Sequence, residues 1–196
     1  MTDYAISDLA RDVQRIVDQQ TGVNDRVRAI TPFLERWMTE PDLTDEQRSP
    51  CAGGACGHLL HRADDGSFFI ISVIFPPGTS SGVHYHGAWG VIGVLAGVDE
   101  ETKYERPDGP AEPSADEACE LRQTDKLRFP PGSITYLLPP EQGYHRVRAI
   151  GKETGVSLHI LGGTPEDHPH FLCHPETRRL VNFPMASLLD QAPPSI

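Results

Sequence analysis

The sequence predicts a mainly β domain that carries helices at its N-terminus. Glycine and proline together account for 36 of the 196 residues, eighteen of each, against roughly 12% in average proteins. This excess of turn-forming residues disfavours a helical bundle and favours short strands joined by tight turns. From residue 58 onward, short β-rich runs alternate with such turns, a pattern typical of an antiparallel sandwich or small barrel.

Two amphipathic helices are expected before the β-rich region. Over residues 4–20, Leu9 and Val13 belong to an apolar stripe with helical spacing, and over residues 24–39 Ile30 belongs to a second. The opposite face of each segment is polar. Each stripe therefore needs an apolar partner surface, and we expect both helices to pack on the barrel.

The chain is expected to form one domain made of three segments. Residues 1–40 form the helical segment, residues 55–165 the barrel, and residues 166–196 a C-terminal wrap with one short helix near 185–191. The stretch 99–120 is acidic and rich in proline, and we expect it to be a hairpin excursion on the surface.

Charge and the absence of targeting signals narrow the class of protein. The formal net charge is −11 at pH 7, which argues against nucleic acids and anionic membranes as partners. No apolar run approaches the ~20 residues of a membrane span, and the first ten residues lack the pattern of a secretory signal. We therefore expect a cytoplasmic protein, a monomer or small homo-oligomer, whose four cysteines are free thiols.

Three histidines form a candidate metal site. His84 and His86 lie two residues apart in an extended segment, so their side chains point to the same face of a strand and can chelate one ion. A third ligand must come from elsewhere in the fold, and His145, at the start of a β-rich run, is the candidate. Three neutral nitrogen ligands leave open positions on an octahedral ion, as suits non-haem iron.

A second polar group follows on a later strand. Ser157, His159 and Leu161 alternate, so they share one face. A buried histidine beside a serine can form a hydrogen-bond relay that shuttles a proton or orients a ligand. The alternative is a histidine of the core whose hydrogen bonds are satisfied.

These segments resemble known motifs. Residues 78–97, with His84 and His86 at their centre, resemble the first cupin motif, although that motif normally has Glu where Gly90 stands. The segments GYHRVR at 143–148 and VSLHILGG at 156–163 look like the late motifs of the thiol dioxygenases. The run from His84 to residue 97 is similar to the bacterial type, cysteine dioxygenase and 3-mercaptopropionate dioxygenase.

The resemblance covers about residues 55–165 and implies both a fold and a reaction. It implies a cupin, jelly-roll-like β-barrel with Fe(2+) held by the metal ligands His84, His86 and His145. It implies that a small thiol, a mercapto-acid or cysteine-like compound, reacts with O2 to give a sulfinate without an external reductant. Ser157 and His159 then act as the catalytic relay.

The sequence also departs from the family. The relay Ser-x-His-x-Tyr ends here in Leu161, so the hydroxyl is missing, and Tyr85 is one of several tyrosines that could replace it. The arginine that binds the substrate carboxylate has no clear counterpart, and Arg62 is the candidate because its fork matches a carboxylate. Leu161, Tyr85 and Trp89 complete the candidate substrate-binding residues, although Trp89 also suits packing in the barrel.

Two other functions stay open at this point. The first is another metallocupin oxygenase or isomerase, whose chemistry differs because the relay tyrosine is Leu161. The second is a non-enzymatic cupin that senses a small ligand. Iron content separates the sensor from the enzymes, and oxygen consumption with thiols separates the two enzymes.

Overall fold

Two helices open the chain, as their apolar stripes predict. The computed structural model describes residues 3–50, 54–108 and 112–189, and its first elements are α1 (Ile6–Gln19) and α2 (Val23–Met38). Both helices bury their apolar stripes in one cluster that includes side chains of a β-sheet. The helices thus cover one face of that sheet.

Eleven strands follow in the described residues. In chain order they are β1 (Cys56–Arg62), β2 (Phe68–Phe75), β3 (His84–His86), β4 (Gly90–Ala96), β5 (Val98–Glu105), β6 (Arg122–Phe129), β7 (Ile134–Leu137), β8 (Tyr144–Ile150), β9 (Gly155–Gly162), β10 (His170–Cys173) and β11 (Leu180–Asn182). They form two sheets, in the orders β1-β2-β9-β4-β7 and β11-β10-β3-β8-β5-β6. Every pairing between neighbouring strands is antiparallel.

The two sheets face each other across a shared core. Phe69 and Ile71 of β2 belong to the same buried cluster as Val147 and Ala149 of β8. The predicted mainly β, jelly-roll-like fold with N-terminal helices is therefore confirmed. No helix in the described part of the chain is long and apolar enough to cross a membrane.

Strand β9 of the five-stranded sheet is almost continuously apolar in sequence. Its residues are all buried because helices cover one face and the second sheet covers the other. Leu158 and Ile160 lie in the cluster with the helices. Ser157, His159 and Leu161 alternate with them and point towards the second sheet, which is the arrangement that the relay requires.

The acidic stretch 99–120 does not form the expected surface excursion. It begins inside β5, which pairs with both β6 and β8, and its residues 99–102 are buried. The charges are tolerated because they have partners: Glu100 lies 2.9 Å from Lys126 Nζ, and Glu101 contacts His145. The prediction failed because acidic composition alone does not distinguish a solvated loop from a strand whose carboxylates are paired.

The C-terminal segment is also more ordered than a simple wrap. It contributes β10 and β11 to the six-stranded sheet. Where a helix was predicted near 185–191, the structure has the short 3-10 turn Met185–Ser187, and residues 190 and 191 lie outside the described residues.

All three cysteines among the described residues form disulfides, where free thiols were expected. Cys119 and Cys173 form a disulfide with a Cα–Cα distance of 5.9 Å, and Cys56 is disulfide-bonded as well. The expectation of free thiols is therefore wrong for these residues, since the fold brings distant segments together in a way that spacing does not reveal. Structural disulfides are rare in a reducing cytosol, so this pair does not support the expected cytoplasmic location.

Removing the Cys119–Cys173 bond is expected to destabilise the protein. Replacing both residues by alanine should lower the free energy of unfolding by about 2–4 kcal/mol, because the cross-link restricts the unfolded chain. Guanidinium denaturation monitored by tryptophan fluorescence measures the change. An unchanged midpoint, or a non-reducing peptide map in which both thiols are free, would contradict the assignment.

Candidate metal centre

Three histidines converge on the inner face of the six-stranded sheet. His84 and His86 lie on β3 with one intervening residue, and His145 of β8 is the direct cross-strand partner of His84. Directly opposed residues in an antiparallel pair point to the same face. All three are buried, and each offers a ligand atom within 4.8 Å of the others.

Hydrogen bonds at Nδ1 fix the orientation of these rings. The Nδ1–H of His84 donates to the Gly82 carbonyl at 3.2 Å, and that of His145 donates to Oε1 of Glu101 at 2.7 Å. Each acceptor places the proton on Nδ1 and leaves the Nε2 lone pair available. Oε2 of Glu101 accepts a further bond from Thr135 at 3.2 Å, which holds the carboxylate in place.

The third ring is held by another histidine. Nδ1 of His86 lies 2.9 Å from Nε2 of His168, whose own Nδ1–H donates to the Gly162 carbonyl at 2.9 Å. Because the proton of neutral His168 is on Nδ1, its Nε2 accepts the hydrogen bond that the Nδ1–H of His86 donates. Nε2 of His86 is therefore free, as in the other two rings.

Burial disfavours the charged form of two of the ligands. It lowers the pKa values of His84 and His86 well below the ordinary value, and neighbouring histidines lower them further. Burial acts in the opposite direction on Glu101, but its hydrogen bond and charge interaction with His145 outweigh that effect and lower its pKa. The centre thus combines histidine nitrogen donors with one ionised carboxylate behind them.

The residues present fit a metal ion. Nε2 of His145 is buried and has no hydrogen-bond partner, a costly state for a polar atom unless something occupies it. Replacing Gly90 alone by the glutamate of the cupin motif would not be tolerated, because a Cβ there would lie 2.8 Å from Leu161 Cδ2 and 2.9 Å from Leu137 Cδ1. Histidine nitrogens are therefore the donors that the cluster offers.

A cavity of about 150 Å³ lies beside the cluster. Its wall is apolar apart from two serines and five histidines, which are His84, His86, His145, His159 and His170. Among the described residues, no lysine, arginine, aspartate or glutamate lines it. Its apolar wall includes Val73, Phe75, Val147, Leu172, Phe183 and Met185.

The two residues of the predicted relay contact each other, and His159 lines the cavity. Ser157 Oγ lies 2.9 Å from Nε2 of His159, and Nδ1 of the same ring is buried without a partner. Burial lowers the pKa of His159 to about 3, with a smaller contribution from His145. Leu161 lies on the same face but packs in the core beside Leu137 and is not among the residues that line the cavity.

The structure places the other predicted substrate contacts elsewhere. Arg62 is exposed at the end of β1 and pairs with Glu166. Tyr85 alternates with the two ligands on β3, so it faces the opposite side, where its ring lies 4.7 Å from that of Tyr144. Trp89 packs in the helix-side core. None of the three lines the cavity in the described residues, and strand parity explains the position of Tyr85.

Three residues of the centre were not identified from the sequence. From the sequence, Glu101 belongs to a surface excursion, and His168 and His170 belong to the C-terminal wrap, where they either line the pocket mouth or are solvated. The abundance of histidine in that segment was the available signal. Its meaning depends on β10 pairing with β3, which a single sequence does not disclose.

Comparisons with known proteins give a limited result. No protein-family model matches the chain. A double-stranded β-helix protein from Klebsiella pneumoniae is 14% identical, with a TM-score of 0.49 over 68% of this chain and 93% of that one. The Cnp3 cupin domain of Schizosaccharomyces pombe is 19% identical, with a TM-score of 0.41 over 56% and 61%.

Oxalate decarboxylase of Bacillus subtilis, described with Mn(II) centres, is 19% identical, with a TM-score of 0.45 over 64% of this chain and 29% of that one. Similarities at this level carry no information about the reaction. The fold is therefore defined by the strands and their pairing, and the site by the histidine cluster.

Loss of the acceptor behind His145 is expected to weaken metal binding. Glu101→Ala should lower the affinity for Co(II) by about 10–100-fold, because His145 Nδ1–H then has no acceptor. Glu101→Gln keeps an acceptor oxygen and should lose less. Competition with a chromophoric chelator measures both. Glu100→Ala is the matched control on the same strand, and an equal loss in that variant would contradict the assignment.

Asp99 is expected to make stability depend on pH. Its side chain is 4% exposed and Oδ1 has no partner. Burial, with the nearby charge of Glu101, raises its pKa from 3.8 to about 6. Because the folded value is the higher one, the stability that this group contributes below pH 3.8 is lost as the pH rises through 6.

Asp99→Asn removes that titration. The free energy of unfolding of the variant minus that of the wild type should therefore increase by about 2–3 kcal/mol from pH 4 to pH 7.5. Urea denaturation at the two pH values measures it. A difference that does not change with pH would show that the carboxyl titrates normally.

Proposed function

We propose that the protein is an iron(II)-dependent dioxygenase that converts a small thiol to a sulfinate. The observation that carries the proposal is the convergence of three buried histidines beside an apolar cavity that His159, the partner of Ser157, also lines. The overall reaction, RSH + O2 → RSO2H, places both oxygen atoms on sulfur and needs no other reductant. The resemblance of the same segments to thiol dioxygenases agrees with it.

The histidines determine what kind of ligand the centre favours. Nε2 of His84, His86 and His145 would hold the ion, and bound iron(II) supplies the redox chemistry that allows dioxygen to react with sulfur. Because all three donors are neutral, they leave the positive charge of the ion uncompensated. That charge favours a thiolate over a neutral ligand, so the thiol must lose its proton on binding.

His159 is placed to accept a hydrogen bond from the thiol. When its Nε2–H donates to Ser157 Oγ, the lone pair of Nδ1 has no partner in the protein. Because burial lowers the pKa of His159 to about 3, the ring stays neutral, and its free lone pair can orient the thiol beside the cavity. Ser157 holds the ring through the 2.9 Å contact between its Oγ and Nε2, and this contact does not involve position 161.

The residues of the cavity wall limit which thiols can be substrates. A carboxylate in an apolar cavity needs a cationic partner, and the predicted one, Arg62, is paired with Glu166 on the surface. We therefore propose small thiols without a carboxylate in preference to mercapto-acids and cysteine. A cavity of about 150 Å³ can hold a molecule of roughly the size of benzene.

The proposal predicts oxygen consumption that depends on the charge of the thiol. Protein loaded anaerobically with Fe(II) should consume one O2 per sulfinate formed from 3-mercapto-1-propanol. The value of kcat/KM should be at least about tenfold higher than for 3-mercaptopropionate, because only the latter brings a charge into an apolar cavity. An oxygen electrode and mass spectrometry of the product measure both quantities.

The controls separate this function from the alternatives. His86→Ala should abolish iron binding and turnover, whereas His61→Ala, outside the cavity, should change neither. Stoichiometric iron without sulfinate from any thiol would contradict thiol oxidation and favour another metallocupin reaction. Failure of the wild type to bind iron would favour the ligand sensor.

A further inference from the structure

A fourth histidine lies beside the three already described. His170 of β10 is the direct cross-strand partner of His86, on the side of β3 opposite to β8. Its ring centroid is 4.7 Å from that of His86 and 5.0 Å from that of His84. These separations match the 4.4 to 5.2 Å found among His84, His86 and His145. Three adjacent strands thus present four imidazoles on one face.

The ring of His170 is held at Nδ1 by a hydrogen bond, as the other three rings are. Its Nδ1–H donates to the Phe183 carbonyl at 2.6 Å, which leaves the lone pair on Nε2. The residue is 3% exposed and lines the cavity, and its Nε2 is buried without a hydrogen-bond partner. A buried acceptor with no partner is costly in a packed interior, and His145 Nε2 is in the same condition. Both nitrogens therefore offer a lone pair that could bind a metal ion.

We propose that His170 is a fourth ligand, so that the centre binds its metal through four histidines. The inference rests on the metal centre proposed above but does not depend on thiol chemistry. Four nitrogen donors leave two of the six positions of an octahedral ion. A substrate can then use one donor atom if a second reactant is also to bind. A thiol that binds through sulfur alone meets this limit, in agreement with a cavity that offers no partner for a carboxylate.

Counting the imidazole ligands of bound Co(II) tests the proposal without any turnover. X-ray absorption at the Co(II) edge should show four imidazoles in the wild type and three in His170→Ala. Competition titration should show that the variant binds Co(II) more weakly by at least about tenfold. Added imidazole should restore the fourth nitrogen and part of the affinity in His170→Gly, whose small side chain leaves room for it.

Two further variants distinguish ligation from packing. His168→Ala removes the acceptor behind His86, so its affinity should fall while the number of imidazoles stays at four. His61→Ala should change neither quantity. Three imidazoles in both wild type and His170→Ala would overturn the role of His170 and leave the three-histidine centre intact. A wild type that binds no Co(II) or Fe(II) would overturn both.

Discussion

The position of β3 between β8 and β10 is the constraint on which the site depends. This strand is only three residues long, and it supplies two imidazoles because alternate side chains share a face. Antiparallel register then places His145 beside one of them and His170 beside the other. A shift of one residue in either pairing would turn the added histidine towards the opposite face, so register, more than any single side chain, determines the donor set.

Each ring is also held from behind by an acceptor of different origin. A loop carbonyl, the carboxylate of Glu101, the imidazole of His168 and the carbonyl of Phe183 each occupy one Nδ1. The protons are thus committed to the protein, and the lone pairs converge on the cavity. Only Glu101 brings a charge to this outer layer, and its carboxylate accepts the hydrogen bond from His145.

Periodicity in the sequence was sufficient to predict the elements, but not their neighbours. The helical stripes, the pair His84 and His86, and the pair Ser157 and His159 follow from spacings of three to four or of two residues, which are local. The roles of Glu101 and His170 depend on strand pairing across 44 and 84 residues of chain. For Glu101 the composition led to a wrong prediction, because a glutamate looks the same in a sequence whether its carboxylate is paired or solvated. Strand parity alone would have excluded Tyr85, since it lies between two residues that face the cavity.

The contact between Gly90 and Leu161 links two positions at which the sequence departs from the motifs that it resembles. These residues are cross-strand partners on β4 and β9, and the leucine side chain fills the space that a side chain at position 90 would need. The absent carboxylate ligand and the absent relay hydroxyl are therefore two aspects of one packing arrangement. Positions 90, 137 and 161 are thus sterically coupled: a carboxylate at position 90 would require smaller residues at the two leucine positions.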